Sequence, residues 1–388
     1  MHLRAKSLLF LSFMVASFLY VNPGFAAQTN LSSRLLLNLG IQYDSNFYYD
    51  PVDERGVTTY QVQPGIELGY ETGKSEIAFR YMLDANYYNE SDEDDFYGQN
   101  ASLIGNFELS DRLSFNLSDY FRYSYDTAYL DDLGNTRTRE KYYQNRLRAL
   151  FALDFEPKFT TQFGYQNWIT NYEDDTLTTG NDDSMGNQGI FDLIYHLNSS
   201  TSLDLEYHYW DMDYDGPVSD YTSNQLSLVA RKEFRIVDLE AAVGYQKREF
   251  DEPTLEDIEV VPYRFTLNGR TSSGKSRVSL SAAQNFNFLE TSAQGYYEAM
   301  RFSLRLDHDL TGKITMGLNG YYQNSDYVDS IREDDIYNIL ADINYQIRDR
   351  LAFYFSAGYE NRDSNIASAE YDNTEVTGQL RFSHDLAK

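Results

Sequence analysis

Arginine is the residue whose placement could do chemistry in this chain. Arg80, Arg122, Arg146, Arg148, Arg231, Arg248, Arg264, Arg270, Arg301, Arg305, Arg362 and Arg381 fall on the interleaved polar positions of segments whose alternate residues are apolar. On the same face by alternation stand Glu67, Asp84, Asp192, Glu206, Glu240, Asp342, Glu360 and Glu375, with many Asn, Gln and Ser. A guanidinium is a planar, permanently charged, multidentate donor, suited to carboxylates and sugar hydroxyls. Two uses fit equally: contact with a passing solute, or ion pairs that brace the wall carrying them. Lysine is spent elsewhere, at turns such as Lys74, Lys158, Lys275 and Lys313.

Other reactive groups are sparse. Beyond the first residues, histidine is limited to His196, His208, His308 and His384. Only His208, near Asp211 and Asp213, is expected at the end of a strand that a substrate could reach, and no matching Ser or acidic pair stands out. No enzyme is expected, nor any cofactor. Asp211-Met212-Asp213-Tyr214-Asp215-Gly216 opens like a calcium loop, but Thr222 stands where a closing bidentate Glu should be. A solvated acidic loop is the expectation there, and no metal site.

The elements that carry the arginines have the period of β-strands. Tyr60, Val62, Pro64, Ile66, Leu68 and Tyr70 alternate with Gln61, Gln63, Gly65, Glu67 and Gly69, which puts one face in oil and the other in water. After Thr72-Gly73-Lys74 the pattern restarts as Ile77, Phe79, Tyr81, Leu83, Ala85 and Tyr87. Counting such runs predicts about eighteen strands, at 33–47, 57–71, 75–88, 96–109, 113–126, 140–155, 159–172, 185–197, 201–212, 222–234, 237–250, 260–271, 277–288, 297–310, 314–325, 335–347, 351–363 and 373–386. Short connectors such as Ser110-Asp111-Arg112 and Thr311-Gly312-Lys313 strictly alternate with longer, acidic ones. That is the organisation of an all-β, antiparallel transmembrane barrel of the bacterial outer membrane, with short periplasmic turns and longer outer loops. Tyr87, Tyr88, Tyr123, Tyr125, Tyr172, Tyr207, Tyr209, Tyr296, Tyr297, Tyr321, Tyr322 and Tyr359 cluster beside the long loops and are expected to form the outer aromatic girdle.

Composition agrees. Arg4 and Lys6, an apolar stretch from Leu8 to Tyr20 and the small residues before Ala26 predict a signal peptide over 1–26, leaving 27–388 as a single barrel domain. With no cysteine there are neither disulfides nor a lipid-bearing N-terminal Cys. The net charge of −28 is hostile to nucleic acid and is concentrated in connectors such as 90–95, 173–183 and 251–259. No segment is expected to form a plug, so inward arginines, Trp168, Trp210 and Tyr354, or a partner, must narrow the bore.

The first strand runs Leu37-Asn38-Leu39-Gly40-Ile41-Gln42-Tyr43-Asp44-Ser45-Asn46-Phe47-Tyr48. It resembles the opening of an outer-membrane β-barrel porin family often encoded within exopolysaccharide biosynthesis and export clusters. The resemblance implies a channel that moves a secreted polysaccharide through the outer membrane, with a periplasmic polysaccharide-export protein as partner. Outer-membrane lipid and lipopolysaccharide would surround it. Two other functions stay open on the residues alone: a general diffusion porin for small solutes, and a non-conducting structural or adhesive barrel.

Overall fold

The computed structural model describes residues 30–89, 95–125, 141–173, 183–215, 219–253, 255–288, 296–327 and 331–386. The expected signal peptide, and the acidic stretches 90–94 and 174–182, lie outside the described residues. In chain order the strands are β1 (Asn30–Asp44), β2 (Val57–Glu71), β3 (Ser75–Asn89), β4 (Phe96–Glu108), β5 (Leu113–Ser124), β6 (Tyr142–Glu156), β7 (Phe159–Tyr172), β8 (Ser184–Asn198), β9 (Thr201–Tyr214), β10 (Tyr221–Glu233), β11 (Val237–Phe250), β12 (Ile258–Val260), β13 (Tyr263–Arg270), β14 (Ser276–Phe288), β15 (Tyr296–Asp309), β16 (Ile314–Tyr327), β17 (Glu333–Arg348), β18 (Leu351–Ser364) and β19 (Tyr371–Asp385). β12 and β13 both pair with β11 in one continuing register, so they are two pieces of a single stave. Pro262, which has no N–H to give the ladder, stands in the break between them.

Each strand pairs antiparallel with its sequence neighbours, and β19 pairs with β1, which closes an eighteen-stave barrel with no free edge. Followed stave by stave, the registers return to β1 displaced by about 22 residues, which corresponds to strands tilted by roughly 40°. At about 4.8 Å per stave this gives a backbone diameter of roughly 35 Å, too wide for side chains to fill the bore. The short connectors are tight turns: Thr72 N–H donates to the Ser75 carbonyl at 2.7 Å, and Gly274 takes φ +72 where a side chain would be strained.

Alternation decides the two faces, because residues opposite one another in a register point the same way. Outside stand Leu39, Val62, Leu68, Leu228, Val243 and Ile339, all exposed. Near the short turns the outer face carries a row of rings, Phe107, Phe115, Phe151 and Phe163, with centroids 5.7, 4.5 and 5.3 Å apart. Near the long loops it carries tyrosines, among them Tyr87 against Tyr97, Tyr123 against Tyr143, and Tyr322 against Tyr337.

The girdle needs correcting. Tyr88, Tyr172, Tyr297 and Tyr321 face inward, and Tyr125 folds onto Phe47 just past the end of β5. The side chain of Tyr296 lies outside the described ones. Tyrosines concentrate at this end of the barrel on both faces, and adjacent pairs such as Tyr87-Tyr88 and Tyr321-Tyr322 must put one ring each way.

Candidate functional site: the lumen wall

The registers put all twelve predicted arginines on the inward face, and local partners differ sharply among them. On β10 and β13, Arg231 and Arg264 are held by carboxylates. Arg231 reaches Glu206 at 2.9 Å, Glu240 at 2.8 Å and the buried carboxylate of Asp204, while Arg264 holds the other Glu240 oxygen at 2.7 Å. His208 faces Asp192 at 3.4 Å, not Asp211 or Asp213, which point outward on the same strand. Two guanidiniums thus share three carboxylates, Asp204, Glu206 and Glu240.

On β15 to β17, Arg305 is shared between Asp307 at 2.7 Å and Asp342 at 3.0 Å. Arg362 lies 3.7 Å from the buried Asp334, which also holds Arg332 at 2.6 Å. Several guanidiniums also cover inward rings: Arg248 over Tyr221 at 4.0 Å, Arg301 over Tyr321 at 4.3 Å, Arg122 over Tyr142 at 6.0 Å and Arg381 over Tyr354 at 4.1 Å.

The arc from β18 and β19 through β1 to β6 is different. Arg80 is 3.8 Å from Glu67, whose carboxylate is already taken at 3.2 Å by Arg34. Arg381 donates to the Gln379 amide oxygen at 2.6 Å. Among the described residues no carboxylate stands within 4 Å of Arg381 or Arg148, nor of Arg270 at the short-turn rim. Arg146 stands two positions before Arg148 on β6, pointing the same way, with Trp168 opposite it. A recess of about 600 Å³ opens at the short-turn end of this arc, lined by Arg34, Asn38, Gln63, Glu67, Arg80 and Arg381.

Sequence reasoning missed Arg34, Arg277 and Arg332. Arg34 bridges Glu67 and Asp385 across the seam where the last strand meets the first, and Arg277 holds Asp309 through two bonds at 3.1 and 3.2 Å. These sit at strand ends, where apolar alternation has faded and only the register reveals the face. The calcium-like run is not a loop at its start: β9 continues to Tyr214, and Asp211 accepts from the Asn187 amide at 2.9 Å. Gly216 lies outside the described residues, and among those described no group of three metal-binding side chains gathers.

The Tyr43-Asp44-Ser45-Asn46-Phe47 motif has a structural role. β1 stops at Asp44, three residues before the sequence suggests, and the chain folds across the seam. Asn46 Nδ2 donates to the carbonyls of Asp50 at 2.9 Å and Asp372 at 3.1 Å, and the Asn46 N–H donates to Asn373 Oδ1 at 3.0 Å. Asn373 Nδ2 reaches Asp44 at 3.2 Å, and Ser45 N–H reaches the Thr374 carbonyl at 3.0 Å. Phe47, buried, packs its ring on inward Tyr88 and on Tyr125, with Val57 and Phe96 beside it. A second inward cluster on the loop side gathers Met212 and Tyr221 with Trp168 and Trp210. These groups narrow the long-loop mouth from the wall.

Residues 235–384 match the family model described as "Putative beta-barrel porin 2", a match that lies in the other half of the chain from the opening motif. No curated protein matches the chain in sequence. Among solved structures the chain is similar to Pseudomonas aeruginosa OccK2 (OpdF) in complex with glucuronate, with a TM-score of 0.54 and 11% identity over 92% of this chain and 99% of that one. It is similar to Pseudomonas aeruginosa OpdK with vanillate, TM-score 0.52 and 11% identity over 92% and 99%. Pseudomonas aeruginosa OccK7 (OpdD) gives a TM-score of 0.51 and 13% identity over 94% and 100%. The fold is that of outer-membrane porin barrels, which implies an outer-membrane location.

Proposed function

We propose that this barrel is a diffusion channel for small solutes and that it favours those bearing a carboxylate. The observation that carries the proposal is the pair of inward guanidiniums, Arg148 and Arg381, that no described wall carboxylate neutralises within 4 Å. A fixed positive charge in a wet bore raises the local concentration of anions, and neighbouring amides such as Gln63 and Gln379 offer exchangeable hydrogen bonds that hold no solute for long. The recess beside Arg80 and Arg381 has the volume of a small-molecule site. Glucuronate and vanillate, bound by the similar barrels, both carry a carboxylate.

The test is reconstitution in planar bilayers and in liposomes. The native barrel should favour chloride over potassium, and liposome swelling should be faster with glucuronate than with uncharged sugars of the same size. Arg148→Gln with Arg381→Gln should lower the anion preference severalfold while leaving conductance open. Unchanged selectivity in an open, folded variant would assign both residues to the wall alone. No conductance from the folded native barrel would favour a structural role.

A second reading, export of a secreted polysaccharide with a periplasmic export protein, is favoured by one feature. The outer mouth carries inward rings, Tyr221, Tyr321 and Trp168 among them, several under guanidiniums, a surface on which sugar rings can stack. Loss of secreted polysaccharide on deletion of the gene, with solute uptake intact, would select it.

A further inference from the structure

The outward face of this barrel is not uniformly apolar: besides polar pairs such as Gln284 with Glu298 and Asn324 with Asp335, it carries a longer polar run on β5 to β9. Asp119 on β5 is directed outward, four residues above Phe115 and four below Tyr123. At about 3.3 Å per residue and roughly 40° of tilt it stands some 10 Å from each aromatic row, in the middle of the hydrocarbon band. Asn145 Nδ2 donates to Asp119 at 2.7 Å and to the Tyr120 carbonyl at 3.1 Å. On the next strands Asn167 Nδ2 donates to Asn187 Oδ1 at 3.1 Å, the Tyr165 hydroxyl donates to the same oxygen at 2.6 Å, and Asn187 Nδ2 donates to Asp211 at 2.9 Å. The opposite wall carries Leu304, Leu318, Ile339 and Ala357 at such positions. Among the described residues Asp119 is the one charged side chain aimed outward at mid-depth.

We infer that the outer face of β4 to β9 is a self-association surface, covered in the membrane by a second copy of this chain. A carboxylate and amides facing hydrocarbon are costly, and a protein wall is the partner that can offer them hydrogen bonds at that depth. The patch holds carboxylates and no cation, so anionic lipopolysaccharide headgroups are repelled rather than recruited. Below it, on the same strands, the adjoining rings of Phe107, Phe115, Phe151 and Phe163 form an aromatic pavement of the kind protein interfaces favour. Six staves at about 4.8 Å across a band about 25 Å tall give roughly 700 Å² per copy, close to the roughly 800 Å² per partner of a stable interface.

Photocrosslinking in native outer membranes tests this, with p-benzoylphenylalanine replacing Leu147 in the patch or Ile339 on the far wall, heat-modifiability confirming a folded barrel in each. Leu147 should give a product at a multiple of the chain's own mass, at least tenfold more abundant than from Ile339. In detergent, native mass spectrometry of the full barrel should show a multimer, and the Asp119→Leu, Asn145→Leu, Asn167→Leu variant should dissociate at concentrations at least tenfold higher. Equal products from both positions, adducts of lipid alone, a product whose added mass is that of a different protein, or no product from a folded Leu147 variant would each overturn the assignment.

Discussion

Replacing Leu304 by arginine should unfold this barrel far more readily than the same change one residue earlier. Leu304 lies outside, paired with Leu280 and Gly320, whereas Ser303 points into the bore between Ser281 and Tyr321. Leu304 is five residues above the short-turn end of β15 at Asp309. At about 3.3 Å per residue and roughly 40° of tilt, that places it some 13 Å up a band about 25 Å tall, at the bilayer midplane. An arginine on the lipid face at that depth costs about 2 to 4 kcal/mol, a factor of roughly 30 to 900 in the ratio of folded to unfolded barrel. Ser303→Arg places the same charge in water and should cost less than about 0.5 kcal/mol. Urea titration of both variants in phospholipid vesicles, read by tryptophan fluorescence and heat-modifiability, gives the two values. Equal losses, or a larger loss at Ser303, would refute the assignment of faces on which the lumen description rests.

The seam clamp is open to the same measurement. Asn46→Ala and Asn373→Ala should each destabilise by about 1 to 3 kcal/mol because each leaves buried polar groups without partners, and the double variant should lose less than the sum because the two share bonds. The loop that follows should loosen in acid. The backbone N–H of Asp53, then that of Val52, hold the Asp50 carboxyl below the usual carboxylate range, so this turn is fully favoured above the ordinary Asp value and loses its support as pH falls through the depressed one. NMR titration of Asp50 should show that depressed midpoint, and an ordinary one would mean the turn is not formed. For topology, single cysteines at Val52 or Asp257 should react with an impermeant thiol reagent on intact cells, and ones at Gly73 or Gly312 should not. Labelling of the second pair alone would invert the barrel.

Strand positions were legible in the sequence because a closed barrel imposes a strict period of two over nearly every described segment. β2, β7 and β11 fall within the bounds that alternation predicts, and the inward set of arginines follows from the same parity. The departures have local causes. β1 ends early because Asp44, Ser45 and Asn46 leave the ladder to bond across the seam, and the expected strand 260–271 is broken at Pro262. Pairing between side chains was not legible, because it depends on the offset between strands and parity carries no information on that. Arg231 meets Asp204 and Arg34 meets Asp385 only once the registers and the closing pair of strands are known.

That register dependence separates two uses of one residue type. Arg231 and Arg264 are surrounded by Asp204, Glu206 and Glu240, and there a guanidinium mainly allows carboxylates to share a small area of wall. Arg148 and Arg381 stand in the same bore with no described carboxylate within 4 Å, so their charge is spent on the lumen. The cluster around Arg231 and Arg264, on β9 to β13, lies across the bore from the arc that runs from β18 and β19 round to β6. Local carboxylates thus cluster on one side of the bore, and Arg148 and Arg381, with none described within 4 Å, stand on the other. On the proposed channel function, the carboxylate of a passing solute is expected on the side of Arg148 and Arg381 rather than beside Asp204, Glu206 and Glu240.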